Sequence, residues 1–168
     1  CSHLQEGEIA SDDTDLLQTL ASRRRRYWMP TNRLDPSGEM YKRSALHLRD
    51  VETVEDFYLP RAKHALSRLW NRLEAINNER VKNSLKLAFT NTAWHASRMR
   101  RYNAKGGQRP MTGTLYIPQL SAEANAFEVF RHQVKQIASF ARSFDRTDRH
   151  SHVTARQSTA ADLSWIPN

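Results

Sequence analysis

Apolar residues recur at helical spacing through the middle of this 168-residue chain. Two successive segments each place such residues on one face, because positions three and four apart lie side by side on a helix. The first face consists of Ala62, Ala65, Leu66, Leu69, Leu73 and Ile76. The second consists of Val81, Leu85, Ala88, Phe89, Thr92, Ala96 and Met99. The pattern predicts a helix that begins near Pro60 and another from about Glu79 to Tyr102, separated by Asn77 and Asn78.

Capping residues predict where the helical part begins and where its last helix starts. Thr53 precedes Asp56 by three residues, which is a capping box with Asp in place of the usual Glu. Pro60 suits the first turn of a helix. Ser121 is predicted to cap a last long helix, whose apolar face consists of Phe127, Phe130, Val134, Ile137, Ala138 and Ala141.

The two ends of the chain have weaker patterns. Acidic residues followed by arginines predict a short helix from Ile9 to Arg26, since this order complements the helix dipole. From Tyr27 to Asp50 the sequence is typical of a loop, with a turn at Asp35-Pro-Ser-Gly38. His150 to Gln157 alternates as a strand does. The sequence therefore predicts a mainly α domain of about four helices with a short β element near the C-terminus.

This organisation divides the chain into four parts. Residues 1–26 are an acidic-to-basic helical segment, and residues 27–52 are a turn-rich connector. Residues 53–149 form the helical domain, which includes a basic loop at 103–113. Residues 150–168 contain the strand and a turn.

Positive charge is concentrated in one stretch. The chain has 26 Lys and Arg against 18 Asp and Glu, a formal charge of +8. Between Glu79 and Glu123 there is no acidic residue. The basic residues of that stretch are Arg80, Lys82, Lys86, Arg98, Arg100, Arg101, Lys105 and Arg109. Such a concentration indicates a polyanionic partner, first of all nucleic acid, because neutralised phosphates release counterions. A solvated helix followed by a basic loop is the alternative.

Two other features bear on nucleic-acid contact. Trp94 is expected beside Arg98 and Arg101, opposite the apolar face, where it can stack on a base or else pack beneath a neighbouring element. The run of four arginines that ends at Arg26, just before Tyr27 and Trp28, is a candidate second phosphate contact or a solvated charge run.

Several classes of function lack their motifs. The chain has no Gly-x-Ser-x-Gly, Gly-x-Gly-x-x-Gly or His-Glu-x-x-His, so no self-sufficient active site is expected. No Cys or carboxylate joins His150 and His152 at a ligand spacing, so no metal site is expected. One cysteine excludes an internal disulfide and suits a reducing cytoplasm. No apolar run is long enough for a membrane span. A start at Cys1 and an end at Asn168 indicate a piece of a longer protein.

Several segments together resemble one protein family. They are residues 27–38 (YWMPTNRLDPSG), 54–61 (VEDFYLPR), 65–69 (ALSRL), 85–91 (LKLAFTN), 97–102 (SRMRRY), 113–118 (GTLYIP) and 123–125 (EAN). In this order they resemble the middle region of large bacterial S-adenosylmethionine-dependent DNA methylases, which act on the exocyclic amino group of adenine or cytosine. The resemblance spans about Tyr27 to Asn168, and residues 113–118 are its most specific part.

In that family the region follows a zinc-ribbon-like insertion and precedes a catalytic Asp-Pro-Pro-Tyr/Phe motif. Residues 153–158 and 161–168 resemble the strand and turn that lead into this motif. The motif itself and the Gly-containing cofactor motif are absent from the chain. The resemblance thus implies part of a DNA methyltransferase with no catalytic or cofactor-binding residue of its own, and S-adenosylmethionine is implied only for the parent enzyme.

The expected partners are duplex DNA, reached through the parent enzyme, and the remaining methylase domains in the cytoplasm. The target amino group lies inside the base stack, so the flanking duplex must be held while the base is flipped out. The candidate DNA-binding residues are Arg98, Arg101, Lys105 and Arg109 for phosphates, and Asn103 and Gln108 for base edges. The alternative is a scaffold that packs the methylase halves together without touching DNA. An independent DNA-binding regulator has little support, since no helix-turn-helix spacing is present.

Overall fold

The computed structural model describes residues 11–23 and 26–143. In these residues the chain is mainly helical, as predicted. The helices are α1 (Ser11–Ser22), α2 (Glu39–Arg43), α3 (Pro60–Glu74), α4 (Glu79–His95) and α5 (Ala126–Ser143). Within the described ranges the β-type pairing is limited to isolated antiparallel bridges. The predicted strand from His150 to Gln157 lies outside the described residues.

The three long helices α3, α4 and α5 pack against one another, and α1 packs on α3. Their shared core contains Met29, Ala62, Leu66, Ala96 and Ala126. Three of these five side chains are alanines, which let the backbones approach closely, since the distance between packed helices depends on the side chains at the contact. The predicted apolar face of α3 is confirmed, because Leu66 and Leu73 are buried on it.

A second core cluster joins the connector to the segment that follows α4. It consists of Leu46, Val51, Phe57 and Ile117. Leu46 and Phe57 lie in two 3₁₀ turns, Leu46–Arg49 and Val54–Phe57, which come between α2 and α3. The predicted loop from Tyr27 to Asp50 is therefore partly wrong, since it contains α2 and the first 3₁₀ turn.

The predicted local signals at Asp35, Thr53 and Pro60 are confirmed. Asp35 Oδ1 accepts a hydrogen bond from the Ser37 amide at 2.8 Å and closes the predicted turn. Asp56 Oδ2 accepts from the Thr53 amide at 2.8 Å, and the Thr53 side chain accepts from the Asp56 amide, which completes the capping box. Pro60 is the first residue of α3.

Three predicted helix ends are wrong. The helix α1 stops at Ser22, not at Arg26. The helix α4 stops at His95, not at Tyr102. Beyond it, Ser97 Oγ donates to the Trp94 carbonyl at 2.8 Å, and the Arg98 amide donates to Phe57 at 2.7 Å. The apolar spacing continues past the helix for a different reason, because Ala96 packs in the first core cluster and Met99 packs against the second.

The last helix begins at Ala126, five positions after the predicted cap. Asn125 Oδ1 accepts from the Phe127 amide at 3.1 Å, so Asn125 is the cap. Ser121 Oγ instead donates to the Arg98 carbonyl at 2.6 Å. Across residues 11–23 and 26–143, no helix combines the length and the apolar character that a membrane span needs.

Candidate nucleic-acid interface

Arg98 links the segment after α4 to both of the 3₁₀ turns that precede α3. Its Nη1 donates to the Asp56 carbonyl at 2.9 Å, and its Nη2 donates to the Arg49 carbonyl at 3.0 Å. The side chain is half-buried. The helical spacing predicted Arg98 on an exposed helix face as a phosphate contact. Arg98 instead lies beyond the end of α4, and two of its N–H groups are bound to carbonyls inside the protein.

Arg100 anchors the basic loop at its base. Its Nε donates to the Gln108 carbonyl and its Nη1 to the Glu123 carbonyl, each at 3.2 Å. Burial lowers the pKa of Arg100. The guanidinium stays charged nevertheless, because an arginine is not deprotonated in a protein. The sequence contains no pattern that distinguishes Arg100 from its neighbours, and its role was not predicted.

Main-chain pairing holds both ends of the loop. The Tyr102 amide donates to the Leu120 carbonyl at 3.0 Å, and the Ala122 amide donates to the Arg100 carbonyl at 2.8 Å. Arg100 also forms an antiparallel bridge with Pro110, which is buried. These main-chain bonds therefore hold both ends of the segment 103–109 in place.

The loop folds back on itself through Asn103. The Asn103 side-chain oxygen accepts from the Lys105 amide at 3.0 Å, and its carbonyl accepts from the Gly106 amide at 3.0 Å. Gln108 Nε2 also donates to the Asn103 carbonyl, at 3.3 Å. Gly106 and Gly107 have φ angles of 86° and 70°, which only glycine adopts at little cost.

These bonds bear on the predicted base-edge contacts. Asn103 and Gln108 were predicted to pair with adenine through both atoms of their amide groups. In this conformation the Asn103 oxygen and the Gln108 nitrogen each bind the loop's own backbone. Bidentate base recognition by either residue would compete with its own internal hydrogen bond for the same amide group.

The basic stretch divides into cations with and without partners. Lys82 Nζ lies 2.9 Å from Glu79, and Lys86 Nζ lies 2.8 Å from Glu74. In contrast, Arg101, Lys105 and Arg109 are exposed. Within the described residues none of these three forms an ion pair. Arg80, at the start of α4, is likewise exposed and outside these ion pairs, so three of the four exposed cations of the stretch without an ion pair among the described residues lie on the loop or at its base.

Trp94 does not lie between arginines on an exposed helix face. It is half-buried on α4, and its ring centroid is 5.1 Å from that of His95. Arg98 and Arg101 come after the helix has ended. This arrangement agrees better with the packed alternative for Trp94 than with base stacking.

A second basic surface lies at the end of α1. A cleft of about 620 Å³ opens between this end, α3 and the start of α5. The arginines that line it are Arg23, Arg26, Arg61 and Arg68. Two arginines of the four-arginine run, Arg23 and Arg26, therefore line a concave surface. The other two, Arg24 and Arg25, lie outside the described residues.

In the described part of the chain, no group of three or more His, Cys, Asp or Glu side chains is placed to hold a metal ion. Comparisons of the chain with models of known protein families, with curated proteins and with solved structures find no match. The resemblance to DNA methylases therefore stays a prediction based on the segments quoted above.

Proposed function

We propose that this chain is the DNA-holding part of an S-adenosylmethionine-dependent DNA methyltransferase. In this proposal the basic loop at residues 103–113, together with Arg101 at its base, binds phosphates of the duplex beside the target base. The observation that carries it is the placement of three exposed, unpaired cations, Arg101, Lys105 and Arg109, on a loop anchored at both ends. The link to methylases rests on the sequence resemblance.

The anchoring matters for affinity. A flexible loop loses conformational freedom when it binds, and this loss subtracts from the binding free energy. Arg100 and the pairing of Tyr102 with Leu120 have already restricted the loop. The cations therefore reach a partner at a smaller entropic cost than those of an unanchored loop.

The proposed role contains no methyl-transfer step. The catalytic motif and the cofactor pocket are assigned to the remaining domains of the parent enzyme, and so is S-adenosylmethionine. Phosphate contacts position a protein on DNA without reading its sequence. We therefore expect this loop to contribute affinity and orientation, and other parts of the enzyme to select the target.

The first experiment replaces Arg101, Lys105 and Arg109 together with glutamine. Each neutralised phosphate contributes about −0.9 to the slope of log K against log salt, so three contacts contribute roughly −2.7. We expect the variant to bind a labelled duplex more weakly and with a slope less steep by about two to three. Fluorescence anisotropy over a salt series measures both quantities.

A matched control removes the same charge elsewhere. Lys42, Arg43 and Arg72 are exposed and lie outside the basic stretch. Replacing these three cations with glutamine gives a control with the same net charge as the loop variant. We expect this control to keep most of the original salt slope. If the loop variant keeps the original affinity and slope, the loop is not the DNA contact.

A structural scaffold is the second candidate, and exposed apolar side chains favour it. Leu48, Leu87 and Leu120 are 72%, 65% and 70% exposed. Such side chains are suited to packing against other domains of a larger protein. The scaffold predicts that the unaltered chain shows no salt-dependent binding to the duplex, so the same titration separates the two functions.

A further inference from the structure

The cleft beside α1 has a strong excess of positive charge. Four arginines line it, and Glu123 is the one carboxylate in the lining that the structure describes. Glu123 pairs with Arg61, whose Nε lies 3.2 Å from Oε1, and this hydrogen bond raises the pKa of Arg61. Among the described residues, Arg23, Arg26 and Arg68 form no ion pair. The cleft is therefore suited to an anion.

Aromatic side chains border the same cleft. The Arg26 guanidinium lies 5.8 Å from the centre of the Tyr27 ring. Phe127 also lines the cleft and is 48% exposed, although its helical spacing predicted a place on the buried face of α5. An exposed phenyl ring beside unpaired arginines offers a planar apolar surface next to positive charge.

The walls of the cleft are connected to each other. His64 Nε2 lies 3.1 Å from the Leu20 carbonyl, which links α3 to the end of α1. The Arg61–Glu123 pair links α3 to the segment before α5. The start of α5 faces the cleft as well, and the positive end of its dipole adds to the attraction for an anion.

We infer that this cleft binds a segment of single-stranded DNA. Arg23, Arg26 and Arg68 contact its phosphates, and Tyr27 and Phe127 stack on its bases. Proteins bind single strands by this combination of a basic groove and aromatic rings. A volume of about 620 Å³ suits about one or two nucleotides but not a duplex, whose bases are also stacked and unable to meet the rings. The inference is separate from the duplex contact proposed for the loop.

The test compares single-stranded and duplex DNA as probes. One variant replaces Arg23, Arg26 and Arg68 with glutamine, and the triple variant of Lys42, Arg43 and Arg72 is its charge-matched control. The single-stranded probe is a labelled oligothymidylate of about 12 nucleotides, within the range that one such site covers. We expect the cleft variant to bind it at least about tenfold more weakly than the control does, with a much smaller change for the duplex.

A second variant tests the aromatic part without changing charge. Replacement of Tyr27 and Phe127 with leucine retains an apolar side chain but removes the rings, so we expect about fivefold or greater loss of affinity for the oligothymidylate. Thermal melting followed by circular dichroism shows that each variant is folded. Thymidine monophosphate is expected to compete better than inorganic phosphate at equal concentration.

Three outcomes would overturn the inference. They are equal losses for the cleft variant and its control, equal losses for single-stranded and duplex probes, and equal competition by phosphate and the nucleotide. The loop variant serves as an internal comparison. If the loop variant weakens duplex binding while the cleft variant binds the oligothymidylate as tightly as its control does, the loop proposal holds and the cleft inference fails. If the cleft variant alone loses affinity for the oligothymidylate and the loop variant keeps its duplex binding, the cleft inference holds and the loop proposal fails.

Discussion

Neighbouring arginines after α4 have different surroundings, although the sequence presents them as one basic run. Arg98 and Arg100 are half-buried and bind main-chain carbonyls, whereas Arg101 is exposed. A guanidinium carries five N–H donors in a rigid fork, so one arginine can bridge carbonyls from two separate turns. Arg98 does this between the two 3₁₀ turns that precede α3.

At this scale we predict that Arg98→Lys destabilises the protein by about 1–2 kcal/mol, because an ammonium group cannot reproduce both hydrogen bonds. Urea denaturation followed by circular dichroism measures the loss. The exposed Arg101→Lys is the control, with an expected effect within about 0.5 kcal/mol. Equal stability of the two variants would show that the Arg98 bonds contribute nothing in solution.

Both local sequence signals and tertiary packing determine where the helices begin and end. Asn78 caps α4 with a bond to the Val81 amide at 3.1 Å, as the break in the apolar pattern indicated. At the other end of α4 no local signal marks His95, and tertiary partners end the helix instead. The start of α5 was misplaced because Ser121 and Asn125 are both common capping residues.

At the scale of the element we predict that Asn125→Ala costs about 1 kcal/mol, the usual value of a lost N-cap. It should also speed hydrogen exchange at the Phe127 and Glu128 amides, because both donate hydrogen bonds to Asn125 Oδ1, at 3.1 and 3.4 Å. Ser121→Ala is the matched comparison and should leave these amides protected. Faster exchange of these amides in the Ser121→Ala variant would show that Ser121 is the cap, as the sequence predicted.

At the scale of the molecule, the described residues form two basic surfaces and one surface that carboxylates line. The loop and the cleft beside α1 are basic, whereas a second cavity of about 410 Å³ lies against the connector. The carboxylates that line this second cavity are Asp50, Glu52, Glu55 and Asp56. Two of these carboxylates are paired, Glu52 with Arg33 at 2.9 Å and Asp56 with Lys63 at 3.8 Å, which reduces the negative charge of this surface. A polyanion would therefore be drawn to the two basic surfaces rather than to this one.

The stability of the whole fold should fall as the pH is lowered. Burial, and then the charge of Arg100, lower the pKa of His95 below its ordinary 6.5. Between the two values the unfolded chain binds more protons than the folded one, so stability declines as the pH falls below about 6.5. Urea denaturation across this range measures the decline, and His95→Gln should flatten it.

A second decline belongs to Asp56 at lower pH. Partial burial acts to raise the pKa of Asp56. Hydrogen bonds from the Thr53 hydroxyl and from the Thr53 and Glu52 amides, together with the charge of Lys63, outweigh burial and lower the pKa below 3.8. The stabilisation by this carboxylate is complete above that value and is lost as the pH falls through the lowered pKa. Asp56→Asn should remove this second decline and leave that of His95, and an unchanged profile would contradict the assignment.

The sequence by itself determined the helical class, the turn at Asp35, the capping box at Thr53 and the start of α3 at Pro60. Each of these depends on residues within about one turn of one another, so the signal is local. It also placed the candidate site within the basic stretch. Only the tertiary structure decided where α4 ends and which cations of that stretch are free. The carbonyls that accept hydrogen bonds from Arg98 lie 42 and 49 positions away along the chain, so no local sequence pattern indicates them.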